Sequence, residues 1–431
     1  MRSGPAAARR AFLLLTATRW FPTGLVISAT TLLPVERGLS VAQVLSVASF
    51  TGLATFFLEL PTSGLADSLR RKPVLVAAAV TQVLAAAMFC VAWSFWAFAA
   101  AAAAFGVFRA LDSGPLEAWF VDTVHASEPG VDLSAGLARQ STTLGVAIAA
   151  GSAVSGGLIW WHPLRAWSAL TLPSVAFAVL SVVHLVAVIV FLREERSDDV
   201  TGDGLRGRLA QAARAAREAP AVMLSGLRLA GSSRVLAGLL LVEVFWSVGM
   251  VVFESLMPLR LGELLGSQAR AGAVMGPTAS MGWAVFALGA ALAGRAAVRV
   301  GAARTALAAR FLNGLGTVWM GLAAGPAALV VAYLVTYALH GSGGPGYNAL
   351  LHRQAEARNR ATVLSMASMT GFAAYAVASP VLGAAADHWS LPVAMTLGGA
   401  ISVIGALCFL PALRQETALR QETAPARARA R

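Results

Sequence analysis

The chain has 431 residues, of which 57% are hydrophobic and 13% charged, with 33 Lys+Arg against 21 Asp+Glu for a formal net charge of +12. Soluble domains carry roughly 45–50% apolar and about 25% charged residues, so this composition excludes a water-facing globular enzyme. The apolar residues fall in blocks of about twenty, the length at which a helix crosses a hydrocarbon core of about 30 Å, and the chain reads as a polytopic all-α membrane protein.

Twelve transmembrane helices are predicted, at 11–34, 41–62, 73–94, 96–118, 140–161, 166–192, 234–258, 273–294, 304–325, 326–350, 362–386 and 390–411. An even number places both termini on one side. That side receives 26 of the 33 basic residues, and the opposite side only Arg37, Arg165, Arg260 and Arg270. By the positive-inside rule the termini are cytoplasmic and the expected location is the plasma membrane. The basic charge therefore reports topology and contact with anionic lipids, with no nucleic-acid partner. The organisation predicted is an N-terminal six-helix bundle (1–192), a cytoplasmic linker (193–233), a C-terminal six-helix bundle (234–413) and a disordered basic tail (414–431). The Ala- and Arg-rich stretch Leu205 to Glu218 is a candidate inner-leaflet helix or a flexible tether. The halves echo each other weakly, with Pro34 answered by Pro258 and Leu65-Ala66-Asp67 by Leu292-Ala293-Gly294, and they read as two six-helix pseudo-repeats.

In chain order, the first chemistry-bearing residues are Arg19 in span one and Glu59 near the cytoplasmic end of span two, both candidates for a substrate cavity. Asp67, Arg71 and Lys72 follow, where a carboxylate just before Pro73 can meet exposed helix N–H groups. A guanidinium inside a span, as Arg109 is, costs at least about 2.5–3.5 kcal/mol unless paired or wet. Asp112, three residues on, is its expected partner. In span seven, Glu243, Trp246, Met250 and Glu254 are spaced three, four and four, so they share one stripe. Two carboxylates, an indole and a thioether on one face suggest a path for a proton or an amphipathic cation. Arg310 in span nine either pairs with these acids or snorkels. Tyr333, Tyr337 and His340 occupy one stripe of span ten; His340 is either a group that titrates near neutral pH or, more often for a lone membrane histidine, a hydrogen-bonding structural residue.

The loop Gly64-Leu65-Ala66-Asp67-Ser68-Leu69-Arg70-Arg71-Lys72 resembles the G-x-L-A-D-[RK]-x-G-[RK]-[RK] motif of the major facilitator superfamily at Leu65, Ala66, Asp67, Arg71 and Lys72, and departs from it at Ser63, Ser68 and Arg70. The run Arg109 to Trp119 is similar to the span-four motif of its proton-coupled members, with the glycine displaced to Gly114. In span five, Gly156-Gly157 matches only the last pair of the antiporter motif G-x-x-x-G-P-x-x-G-G. This resemblance implies a latch on the cytoplasmic gate at Asp67, Arg71 and Lys72, and proton coupling through Arg109 and Asp112. It implies the twelve-span drug:proton antiporter branch, exporting a small amphipathic molecule by alternating access.

The expectation is therefore a monomeric transporter of a small molecule, coupled to protons through Arg109, Asp112, Glu243 and Glu254. Arg19, Glu59, Trp246, Met250, Tyr337 and His340 are its candidate cavity residues. No cofactor is expected: the sole lysine, Lys72, lies in no phosphate-binding loop, and no His/Cys cluster has metal-ligand spacing. Cys90 and Cys408 both fall within apolar spans, against a disulfide framework. A nutrient importer or facilitator, and a non-transporting membrane scaffold or sensor, are the alternatives.

Overall fold

The computed structural model describes residues 5–68, 70–128, 130–194, 217, 224, 228–355 and 360–429. Those residues form helices and connecting turns, with no strand among them. The linker reading at 205–218 and the side chain of Asp67 lie outside the described residues.

The helices are α1 (Pro5–Val26), α2 (Ala29–Glu36), α3 (Val41–Ser68), α4 (Arg71–Val91), α5 (Phe95–Asp112), α6 (Pro115–Ser127), α7 (Ser134–Trp161) and α8 (Thr171–Phe191). They continue as α9 (Arg234–Met250), α10 (Met257–Leu265), α11 (Gln268–Val300), α12 (Ala302–Leu322), α13 (Pro326–Arg353), α14 (Arg360–His388), α15 (Leu391–Gly405) and α16 (Leu410–Arg429). A π-helical turn, Val251–Leu256, links α9 to α10, and a 3₁₀ turn, Ala406–Phe409, links α15 to α16.

Their starts follow local chemistry. Ser40 and Gln43 form a reciprocal cap at α3: the Ser40 N–H donates to Gln43 Oε1 (3.0 Å) and the Gln43 N–H to Ser40 Oγ (3.3 Å). Ser94, Ser233 and Ser390 each accept an N–H from the first turn of α5, α9 and α15. Gly114, at φ +93°, supplies the left-handed residue that stops α5, and Pro115 opens α6 behind it. The last helix, α16, runs to Arg429.

Among the described residues eleven stretches are long and apolar enough to cross a membrane. Helix α12 matches them in length, at 21 residues, but carries Arg304 and Arg310 and is not among the eleven. Much of the apolar surface is exposed, as on α8 at Val182, Val183, Val186, Ile189 and Val190, the pattern of helices solvated by lipid. Trp93 and Trp96 at the α4–α5 turn, with Trp160, Trp161 and Trp167 at the α7–α8 connection, are exposed at helix ends, where tryptophans are enriched at a membrane–water interface. Arg37 is tied down at the end of α4. Its Nη1 donates to the Ala92 carbonyl (2.5 Å) and its Nη2 to the Cys90 carbonyl (3.0 Å), so the cation meets the C-terminal dipole of α4. Desolvation by burial pulls the Arg37 pKa below its ordinary value.

The chain divides into two compact units: residues 1–219 with 261–283, and residues 220–260 with 284–431. In the first, α1 packs on α7 and α8, α3 on α5, and α4 on α5 and α8. In the second, α9 packs on α14 and α15, and α12 on α13 and α15.

Candidate functional site

Among the described residues each unit buries one arginine. In the first it is Arg19 of α1, 6% exposed. Its Nε donates to Asp112 Oδ2 at 2.7 Å and its Nη1 to Thr23 Oγ1 at 2.9 Å, while the guanidinium carbon lies 4.4 Å from the Trp20 ring and 4.2 Å from Phe108. His184 of α8 closes the cluster: it is buried, and its Nδ1 is 3.0 Å from Thr18 Oγ1. Three helices thus meet around one hydrogen-bonded ion pair.

This arrangement corrects the expected Arg109–Asp112 pair. Both residues lie within α5, and their spacing keeps them on one face, but Asp112, the last residue of the helix, pairs with Arg19 of α1. Arg109 is exposed, and Glu59 of α3 lies close enough for the two charges to act on each other. Glu117, across the break, accepts the Gln140 amide at 3.0 Å.

At the terminal end of the same unit, the cations of the 63–72 segment bind the end of α8. Lys72 Nζ donates to the Ile189 carbonyl at 2.6 Å, and the Arg71 N–H to Glu194 Oε1 at 2.5 Å. The Arg71 side chain also reaches Asp122 at 3.7 Å, an exposed contact of little energy. A carboxylate just after α8 therefore caps α4. The second unit repeats the device: Glu416 of α16 takes the Ala303 N–H at the start of α12, at 2.7 Å.

The second unit's buried centre is built on α9, the π-helical turn, α12 and α13. Glu243 is 8% exposed and lies beside Gly371 of α14, where a Cβ would come 3.4 Å from Oε2. It is within the electrostatic reach of Arg310 and hydrogen-bonding reach of the Tyr347 hydroxyl. Arg310 is 6% exposed, and its guanidinium carbon lies 4.6 Å from the Trp246 ring. Trp246 stacks on His340, with centroids 5.4 Å apart and planes 19° apart. Phe253, Phe286 and Tyr337 surround the same imidazole at 5.1, 5.1 and 5.6 Å. The Tyr337 hydroxyl donates to Glu254 Oε1 at 2.9 Å, and Tyr333 packs against the Tyr337 ring at 5.0 Å.

The span-seven stripe is thus gathered into one cluster, running from Glu243 through Arg310, Trp246, His340 and Tyr337 to Glu254. Glu254 sits inside the π-helical turn, so its direction is set by that wider turn rather than by a regular helix. Met250, the last residue of α9, is half-buried and leads into it. His184, Phe286 and Tyr347 were missed from the sequence. A histidine in an otherwise apolar span was a usable signal for His184; the two aromatic residues carried none. Among the described residues no group of three His, Cys, Asp or Glu is placed to hold a metal ion.

The major facilitator superfamily model matches residues 12–343 and 278–430. No curated protein is matched. Solved structures share the fold. The nucleoside transporter NupG has 11% identity over 94% of this chain and 98% of its own, with a TM-score of 0.75. A POT peptide transporter in complex with sulfate has 13% identity over 95% and 94%, with a TM-score of 0.69. Tetrameric PepTSo2 has 12% identity over 97% and 99%, also at 0.69. By the family match this multi-pass membrane protein is a transporter and not an enzyme, and it belongs to the major facilitator superfamily.

Proposed function

We propose that the chain is a proton-coupled secondary transporter of twelve spans in two six-helix pseudo-repeats, exporting a small amphipathic molecule in the manner of the drug:proton antiporters. Counting α12 as the twelfth span gives the two units matching packing. α1 on α7 and α8 corresponds to α9 on α14 and α15, and α4 on α5 and α8 to α12 on α13 and α15. The Glu194 and Glu416 caps fall at equivalent places, which also supports the repeat. The division at 193–233, cytoplasmic termini and the plasma membrane belong to this proposal, supported by the charge asymmetry of the loops. The nucleoside and peptide transporters named above speak, at this identity, for the fold alone.

The observation that carries the reading is Glu243. A carboxylate at 8% exposure inside a span, facing a guanidinium without a contact ion pair among the described residues, is a place where a proton is gained and lost. Glu254, held by Tyr337, is the second station, and Met250 lies between them on the chain. In the first unit Arg19 and Asp112 brace the bundle, Glu59 and Arg109 form the adjoining charged pair, and Asp67, Arg71 and Lys72 form the gate latch.

The test is proton movement in everted membrane vesicles carrying the wild-type chain or Glu243→Gln, challenged with a panel of amphipathic compounds. Compound-driven proton efflux in the wild type, abolished in Glu243→Gln, supports the reading. No flux with any compound, or equal flux in the variant, refutes it. Uptake down a solute gradient that ignores a collapsed pH gradient would favour the importer instead.

A further inference from the structure

Around Arg310 the second unit buries N–H groups that have no acceptor among the described residues. The guanidinium is clasped between the Trp246 ring and the backbone of Gly343, where an added Cβ would stand 3.0 Å from the guanidinium carbon. Both Nε and Nη1 of Arg310 are buried without a hydrogen-bond partner among the described residues, and so is the indole Nε1 of Trp246. His340 Nδ1, in the ring stacked on that indole, is likewise unpartnered. Neither nearby acid closes the gap: Glu254 takes the Tyr337 hydroxyl, and Glu243, though in the field of Arg310, makes no contact ion pair with it among the described residues.

Buried N–H groups left unmade are costly, and a guanidinium the more so, which makes three of them in one place a specification for an acceptor. We propose that Arg310 and Trp246 form the receptor for the anionic group of the cargo, and that the cargo is an amphipathic organic carboxylate. The guanidinium and indole N–H groups take the carboxylate oxygens. The aromatic wall of Phe253, Phe286 and Tyr337 takes the apolar body. This rests on the transporter reading for the word cargo, and it reverses the charge suggested by the two carboxylates of span seven.

Equilibrium binding to the purified full-length chain in detergent tests it, by calorimetry with no pH gradient. Three probes share one aromatic body: 2-naphthoate, 2-naphthamide and 2-naphthylmethylammonium, each corrected for titration into empty micelles. Naphthoate is expected to bind at least about tenfold tighter than either of the others. Arg310→Lys, which keeps the charge but loses the planar donor set, is expected to weaken naphthoate about tenfold or more. Trp246→Phe keeps the ring face and the net charge, loses only the N–H, and is expected to weaken it roughly three- to tenfold. If Arg310→Lys does not fold, Trp246→Phe decides alone, and its neutrality separates the site from general attraction of anions to a basic protein. Equal or tighter ammonium binding, no binding of naphthoate, or wild-type affinity in Trp246→Phe overturns the proposal. Binding of this pattern without proton flux in vesicles would refute the coupling mechanism and leave the anion site standing. Coupled flux without it would do the reverse.

Discussion

The two units solve the same problem differently. Each buries an arginine to 6% exposure and lays it over a tryptophan, at 4.4 Å for Arg19 and 4.6 Å for Arg310. Arg19 is also satisfied, with Asp112 at 2.7 Å and Thr23 at 2.9 Å. Arg310 has an acid in its field but two nitrogens without acceptors. A buried charge with its partners in place is a brace. One whose partners are incomplete keeps capacity for something that arrives, and on the proposed reading that difference gives structure to one unit and coupling to the other.

The largest expected effect breaks the brace. Asp112→Ala leaves Arg19 uncompensated and should lower stability by about 3–5 kcal/mol, seen as a lower unfolding midpoint in detergent. Next, Gly343→Ala presses a methyl against the Arg310 guanidinium and should cost about 1–3 kcal/mol, with naphthoate binding weakened alongside. Glu243→Gln should cost less than about 2 kcal/mol, because the lost attraction to Arg310 is offset by relief of a buried carboxylate, yet it should stop proton movement. If Glu243→Gln destabilises as much as Asp112→Ala, the distinction between the two units fails. Tyr337→Phe removes one donor from Glu254 and should cost about 1 kcal/mol by the same midpoint.

The smallest effect lies on the surface of the first unit. The Ser134 N–H and hydroxyl, donating at 2.8 and 2.7 Å, hold the Asp132 carboxyl below its ordinary value of 3.8. Because the folded pKa is the lower one, the cap on α7 is present above that ordinary value and is lost as pH falls through the native one. Amide exchange at Ser134 should speed up over that acid range, and Asp132→Asn should remove most of the pH dependence.

Much of this was legible in the sequence because the lipid solvent imposes a length and a charge rule on every span. Eleven of the twelve predicted spans correspond to apolar helices, and the remaining one, 304–325, to α12. The Glu243–Trp246–Glu254 stripe was visible as spacing. What spacing could not supply was partner choice across helices. Arg109 and Asp112 satisfied every local rule for a pair, but Asp112 takes Arg19, 93 positions away on another helix. His340 read as either a titrating or a structural side chain, and its place at the centre of an aromatic cluster is a fact spread over α9, the π-helical turn, α11 and α13. The contact of Glu416 with the start of α12 is likewise a choice of partner across helices that composition does not announce.

The most direct test of the account is proton release in everted vesicles on addition of 2-naphthoate, measured for wild type and Glu243→Gln at equal protein level. The account predicts release from the wild type and none from the variant, with both proteins unfolding at midpoints a few degrees apart. Release of the same size from a folded Glu243→Gln protein would contradict it.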